Sequence, residues 1–371
     1  MGHPLFFPHL GLKRRRFLVA ALGAASGVNA SALLPARLAF PRDHGAHPDF
    51  RTEWWYLTGF ANEEEQEAAF GFQITFFRSR VPATQGMQSR LAARQLVFAH
   101  AAITDVSGRK LWHDQRIARS SGINDGENPA DAAWCGIKDT HIVLRDWFLR
   151  RSDQGLQASV HGAEFAMQLR FINTQDVLLQ GEDGLSRKGP DPTQASYYYS
   201  QPQLQALGEL VLRGKGHTLS AGSTAWLDHE WSQELLHPKA VGWDWVGINL
   251  FDGSALTAFR LRDRDGAALW DGGSSRSGEI RRSFAHGEVE FTPLRSWLSP
   301  LSRASYPVEW RLRTPGETYT VRALVDNQEL DSRTSTGAIY WEGLCEVRNS
   351  KSQRVGRGYL EMTGYAAPIR L

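Results

Sequence analysis

Two cysteines, Cys135 and Cys345, are all that 371 residues contain. A disulfide framework is therefore excluded, and only a single bridge between the two stays open to a chain in an oxidising compartment. Missing too are the signatures of several enzyme classes. There is no G-x-G-x-x-G after a strand, no phosphate-binding loop, no G-x-S-x-G elbow and no H-E-x-x-H. Their absence weighs against dinucleotide enzymes, nucleoside triphosphatases, α/β serine hydrolases and zincins. His44 and His47 flank Gly45-Ala46, but no third ligand stands near them in sequence, and zinc needs three or four. Neither a metal nor a cofactor is expected.

Charge of one sign is also scarce. The formal net charge is +2, from 42 basic and 40 acidic residues. The first forty residues hold Lys13, Arg14, Arg15, Arg16 and Arg37 and no acid. Loss of the first four would leave a nearly neutral chain. That offers no electrostatic footprint for nucleic acid and no polybasic patch for anionic lipid.

The basic cluster reads as an address. Arg14-Arg15-Arg16-Phe17-Leu18 opens an apolar run to Val28, and Ala30-Ser31-Ala32 follows as a small-residue cleavage site. This is the order of a signal peptide, residues 1–32, with a twin-arginine pattern. The run of about 12 residues is short of the roughly 20 that span a bilayer. No later segment reaches that length, so the mature chain is expected to be periplasmic or secreted, without a transmembrane segment.

What is present in quantity is the alternating pattern of strands. Phe70, Phe72, Ile74 and Phe76 alternate with Gly71, Gln73 and Thr75, and Leu96, Phe98, His100 and Ala102 repeat the pattern. Further runs cover 241–251, 256–262, 340–347 and 359–365, separated by turns such as Asp252-Gly253 and Asp271-Gly272-Gly273. No stretch shows the spacing of an amphipathic helix. Many short strands with regular turns predict an all-β protein of the sandwich or barrel kind. An eight-stranded barrel can hold one small ligand, and the mature length suits two. The boundary is placed at Leu236-His237-Pro238, which gives domains at 41–236 and 237–371.

Thirteen Trp, all after Glu53, cluster around acids. In Glu53-Trp54-Trp55-Tyr56, alternation sends Trp54 and Tyr56 one way and Glu53 and Trp55 the other. Trp226-Leu227-Asp228-His229-Glu230-Trp231 places Asp228 and Glu230 on one face of an apolar strand, and His229 and Trp231 on the opposite face. Neighbouring buried carboxyls raise one another's pKa, and one held protonated is a general acid. Trp243-Asp244-Trp245 puts a further carboxyl on an apolar face. Asp228, His229, Glu230 and Asp244 are thus the catalytic candidates. Trp54, Trp55, Tyr56, His100, Tyr198, Tyr199, Trp231, Trp243, Trp245 and Glu361 are the ligand-binding candidates. Each has a structural reading beside the functional one, as core packing or as an ion pair at a domain seam.

Several segments together resemble a known family. They are His47-Pro48-Asp49-Phe50 through Gly59, Tyr198-Tyr199-Ser200, Ala225 through Trp231, Gly242 through Val246, Gln328-Glu329-Leu330-Asp331, Tyr340-Trp341-Glu342-Gly343 and Gly356-Arg357-Gly358-Tyr359. In combination, over about Asp43 to Tyr365, they resemble the AttH family, which is related to carotenoid 1,2-hydratases (hydroxyneurosporene synthases). The resemblance implies two lipocalin-like antiparallel β-barrels packed together. It does not imply one settled activity: in the wider family some members add water to an alkene without a cofactor and others shape polyene substrates for cyclisation. The cluster of acids and aromatics favours a lipophilic, isoprenoid-like ligand and a cofactor-independent lyase that adds water to a C=C bond. The alternative is a non-catalytic periplasmic binding protein that passes a lipid or isoprenoid to a membrane transporter.

Overall fold

The computed structural model describes residues 32–64, 66–89, 91–122, 130–234 and 236–369. The expected leader, apart from Ala32, lies outside them. Strand makes up 59 % of the described residues, which contain no α-helix.

The first antiparallel sheet runs through β1 (Thr52–Glu63), β2 (Gln66–Arg80), β3 (Gln95–Asp105), β4 (Lys110–Ser120), β5 (Ala133–Cys135), β6 (His141–Leu144), β7 (Trp147–Ser152), β8 (Gly155–His161), β9 (Phe165–Ile172), β10 (Leu178–Leu179), β11 (Leu185–Arg187), β12 (Ala195–Leu212), β13 (Lys215–Thr218) and β14 (Thr224–Glu234). Its order is β4-β3-β2-β1-β14-β12-β9-β8-β7-β6-β5, and β4 curls round to meet β5 and β6. The second sheet comprises β15 (Gly242–Leu250), β16 (Ala255–Arg262), β17 (Ala268–Ser277), β18 (Ile280–Phe284), β19 (Glu290–Leu298), β20 (Ser305–Arg313), β21 (Thr318–Ala323), β22 (Glu329–Asp331), β23 (Ile339–Arg348) and β24 (Arg354–Met362). Its order is β18-β17-β16-β15-β24-β23-β21-β20-β19. Each sheet curls into a barrel-like half, and the fold is lipocalin-like. The chain passes from one sheet to the other between Glu234 and Gly242.

Alternation explains how the halves meet. On β1, Trp55 and Leu57 enter the first core with Phe72, Ile74 and Phe76. Tyr56 and Phe60 point outward and pack with Trp226, Trp245, Phe259 and Tyr359. On the second sheet, Val246, Ile248, Leu360 and Met362 fill its own core. The two outer faces therefore stand back to back. This is why β1, β2 and β14 are buried on both faces, and why their polar residues cannot be read as solvent-facing. At Gly71 the halves come so close that a Cβ would lie 2.7 Å from the Tyr359 hydroxyl and 2.9 Å from Leu344 Cβ. Cys135 and Cys345 are both free and buried, one in the core of each half.

Candidate functional site

Between the two outer faces the packing opens into a cavity of about 730 Å³. Pockets for one small organic molecule run to about 300–1,000 Å³. Trp54, Tyr56 and Tyr198 from the first half face Trp243, Trp245 and Phe259 from the second. Four carboxyls stand in this aromatic wall, Asp228 and Glu230 from β14, Glu342 from β23 and Glu361 from β24, and the Glu53–Arg78 ion pair also borders the cavity. Gly247 makes room for the Trp245 ring, which lies 2.4 Å from where a Cβ would be.

The strand register assembles the acids. Tyr56 and Ser200 flank Asp228, while Trp54 and Tyr198 flank Glu230. Across the cavity, Glu342 and Glu361 are direct neighbours on adjacent strands, and Glu361 also sits opposite Trp245. Like charges placed so repel.

The four acids differ in their partners. Asp228 accepts three hydrogen bonds, from Tyr198 Oη at 2.7 Å, Ser200 Oγ at 2.5 Å and Trp226 Nε1 at 2.6 Å. Trp245 Nε1 donates to Tyr198 Oη at 3.1 Å and Gln180 Nε2 to Ser200 Oγ at 2.8 Å, so both hydroxyl protons are aimed at the carboxyl. Burial works against the anion and the donors for it; the outcome is a pKa pushed up to about 7. Glu230 pairs with Lys188 at 3.0 Å and accepts from Ser196 at 2.5 Å. Lys188 lies over the Phe259 ring at 4.1 Å. Among the described residues, Glu342 and Glu361 have no basic partner. Burial, and for Glu342 the neighbouring Glu361, raise both carboxyls above the usual range; Asp228 and Glu230 raise Glu361 further. The Tyr56 hydroxyl is buried beside them and turned to the Glu342 carboxyl, which it and Tyr340 draw down against the larger effect of burial.

Nine of the fourteen residues singled out from sequence line this cavity: Trp54, Tyr56, His100, Tyr198, Asp228, Glu230, Trp243, Trp245 and Glu361. Five do not. Trp55, Tyr199, His229 and Trp231 belong to the opposite faces of β1, β12 and β14, where they close a polar knot inside the first half. At its centre Glu53 accepts from His47 Nδ1 at 2.7 Å, His229 Nε2 at 2.9 Å and Arg78 Nε at 2.7 Å. Tyr199 Oη bonds His44 Nδ1 at 2.7 Å and meets His229 Nδ1 at 3.1 Å. Trp231 stacks on His47 at 3.7 Å and Trp55 on His229 at 4.5 Å. Burial alone would raise the Glu53 carboxyl, but Arg78 and His47 hold it well below the usual range; burial brings His229 down to about 4. The fifth residue, Asp244, faces the second core, where Arg260 Nε lies at 2.7 Å, Arg262 Nε at 2.9 Å and the Tyr365 hydroxyl donates at 2.9 Å. Alternation turns it away from its neighbours Trp243 and Trp245. Asp244 and His229 are thus buried partners of structural pairs, away from the cavity.

The knot also revises the reading of His47, which looked short of further ligands in sequence. His47, Glu53 and His229 bring one donor atom each within 4.8 Å of one another. Every one of those groups is satisfied from within: the second Glu53 oxygen by Arg78, and His47 Nε2 by Asp43 at 3.1 Å. A divalent ion would have to displace these bonds and sit beside the Arg78 guanidinium.

Glu342 and Tyr340 are among the cavity residues that sequence reasoning did not single out, as are Lys188 and Phe259. The signal was there, since Tyr340-Trp341-Glu342-Gly343 alternates in the manner of Trp226 to Trp231, with Trp341 in the core and its two neighbours outside.

Two lipocalin-like barrels set back to back, with an acid-bearing aromatic cavity at their seam, define the class of protein. The AttH-like family model matches residues 31–365, and the chain belongs to that family. The AttH homologue NE1406 from Nitrosomonas europaea is 41 % identical, with a TM-score of 0.81 over 90 % of this chain and 99 % of that one. Kievitone hydratase from Nectria haematococca shares the fold at 13 % identity, with a TM-score of 0.67 over 89 % of this chain and 94 % of the other. CghA, solved with Sch210972, shares it at 12 % identity and a TM-score of 0.51, over 85 % and 89 % of the two chains. No curated protein sequence matches the chain.

Proposed function

We propose that the protein binds one lipophilic, isoprenoid-like molecule between its two halves and adds water to a C=C bond of that molecule by acid catalysis. The observation that carries this reading is the presence of two buried carboxyls without a basic partner, Glu342 and Glu361, in an aromatic cavity of about 730 Å³. A carboxyl kept neutral at physiological pH can give its proton to an alkene. The cation that forms lies against indole and phenol faces, which stabilise it by about 2 kcal/mol when water is excluded. Water adds to the cation and loses a proton to a cavity carboxylate, for which the three donors on Asp228 prepare that residue. The chemistry asks for no electron transfer and no group carrier. Kievitone hydratase, by its name a hydratase on the same fold, lends the reading further support. The twin-arginine pattern at Arg14-Arg15 supports a reaction outside the cytoplasm, with a membrane as the source of the ligand.

The test starts from the purified protein. An organic extract analysed by mass spectrometry should contain one apolar species together with its water adduct. Prolonged incubation should deplete the first in favour of the second. A bound lipid that stays unmodified would instead establish a carrier, the partner of a membrane transporter.

A further inference from the structure

Glu342 touches one end of a hydrogen-bonded chain that leaves the cavity. Its Oε1 lies 3.4 Å from Tyr340 Oη. Tyr340 Oη lies 2.7 Å from His100 Nδ1, and His100 Nε2 lies 2.8 Å from Ser335 Oγ. Ser335 Oγ lies 2.5 Å from Gln115 Oε1, and Gln115 Nε2 donates to the Asp331 carbonyl at 2.8 Å. Tyr340 and His100 are buried; Ser335 belongs to the loop that crosses from the second half onto β3 and β4.

Counting protons along this chain fixes its direction. The Asp331 carbonyl can only accept, so the Gln115 amide nitrogen faces it and Gln115 Oε1 faces Ser335. Two oxygens 2.5 Å apart need a proton between them, and Oε1 has none to give. The Ser335 hydroxyl therefore donates to Gln115. That hydroxyl has one proton, so His100 must donate to it through Nε2. His100 is neutral, its pKa brought down to about 3 by burial and by His113, so Nδ1 carries a lone pair. The Tyr340 proton goes to that lone pair. Nothing is left on Tyr340 with which to donate to Glu342, and the remaining bond can form only if Glu342 supplies the proton.

We infer that the chain Gln115–Ser335–His100–Tyr340 holds Glu342 as a neutral acid with its proton on the Tyr340 side, which makes Glu342 the proton donor of the cavity. Asp228 is its opposite, with three protons aimed at it. This assignment rests on the hydration reading for its catalytic meaning. In that reaction the Glu342 O–H bond breaks as a C–H bond forms. The attacking water forms the C–O bond and passes a proton to Asp228. The cycle closes when Asp228 gives that proton to water and Glu342 takes one back from water. His100, Tyr340 and Ser335 are positioning residues that act through Glu342.

The groups facing Glu342 are Glu361, Tyr56, Tyr340 and Tyr359, with Asp228 and Glu230 beyond Glu361; none is basic. Its proton is therefore expected to persist above neutral pH. Two spectroscopic measurements on the full chain, neither of which needs turnover, test the assignment. Nitrogen NMR of labelled protein at pH 7 should show His100 neutral with its proton on Nε2. Infrared spectra should show the C=O stretch of an un-ionised carboxylic acid that is absent from Glu342→Gln and displaced in Tyr340→Phe. A proton on His100 Nδ1, or a wild-type spectrum without that band, would overturn it. Should the two signatures be found in a protein whose extract holds no water adduct, the proton assignment stands and the hydration reading falls.

Discussion

The two faces of β14 bury ionisable groups equally well and treat them in opposite ways. On the inner face Glu53 is ion-paired with Arg78 and His47 and hydrogen-bonded to His229, and its carboxyl is held well below its usual range. On the outer face Asp228, Glu230, Glu342 and Glu361 share the cavity with Lys188, which pairs with Glu230, and Glu342 and Glu361 are pushed up. Burial is the largest influence on both sides; what differs is the supply of counter-charge. A buried charge that is paired holds a fold together at little net gain, while an unpaired one is a cost that a protein keeps only for use.

That contrast can be broken experimentally, and the inner face should break first. Glu53→Gln strands the Arg78 guanidinium in the core and should cost about 3–5 kcal/mol, the range for removing one partner of a buried pair, read as a large fall in Tm or in the denaturant midpoint. Asp228→Asn turns an amide nitrogen toward one of three donors and should cost about 1–3 kcal/mol by the same measurement. Glu361→Gln should show a pH dependence. The folded-state pKa of Glu361 lies above its value of 4.5 in an unfolded chain, so its contribution to stability is complete below about pH 4.5 and is lost as pH rises through the folded value. Wild type should therefore lose ground to Glu361→Gln as pH rises, by at most about 1.4 kcal/mol per unit. Smallest of all is Glu342→Gln. The amide reproduces the donor that the neutral acid offers to Tyr340, and stability should stay within about 0.5 kcal/mol of wild type. A loss as large as that of Glu53→Gln would mean that Glu342 is a paired structural carboxylate after all.

Much of this was legible in the sequence, and for definite reasons. Period-two runs such as Phe70 to Phe76 declare strands, and the all-β architecture follows from them; the two lipocalin-like halves came from the family resemblance. Asp228 and Glu230 stood out because carboxyls alternate there with Trp and Leu, and alternation alone separated them from His229. What alternation could not supply was which strand lies opposite. Glu53 reaches His229 only through the pairing of β1 with β14, and Glu342 reaches Glu361 only through that of β23 with β24. Asp244 looked equivalent to Asp228, since both lie between large apolar neighbours. Its arginines were within view, because Arg260 and Arg262 alternate along the adjoining strand and one of them pairs in register with Asp244. His100 was picked for its place in an apolar strand; its partners Tyr340 and Ser335 come from the other half of the molecule.

The most direct test compares wild type and Glu342→Gln, each purified with its ligand and incubated in heavy-oxygen water. The account predicts equal amounts of ligand in both, with labelled water adduct accumulating in wild type and at least a hundredfold less in the variant, on the scale of a lost general acid. Equal labelling in the two proteins, or none in either, would contradict it.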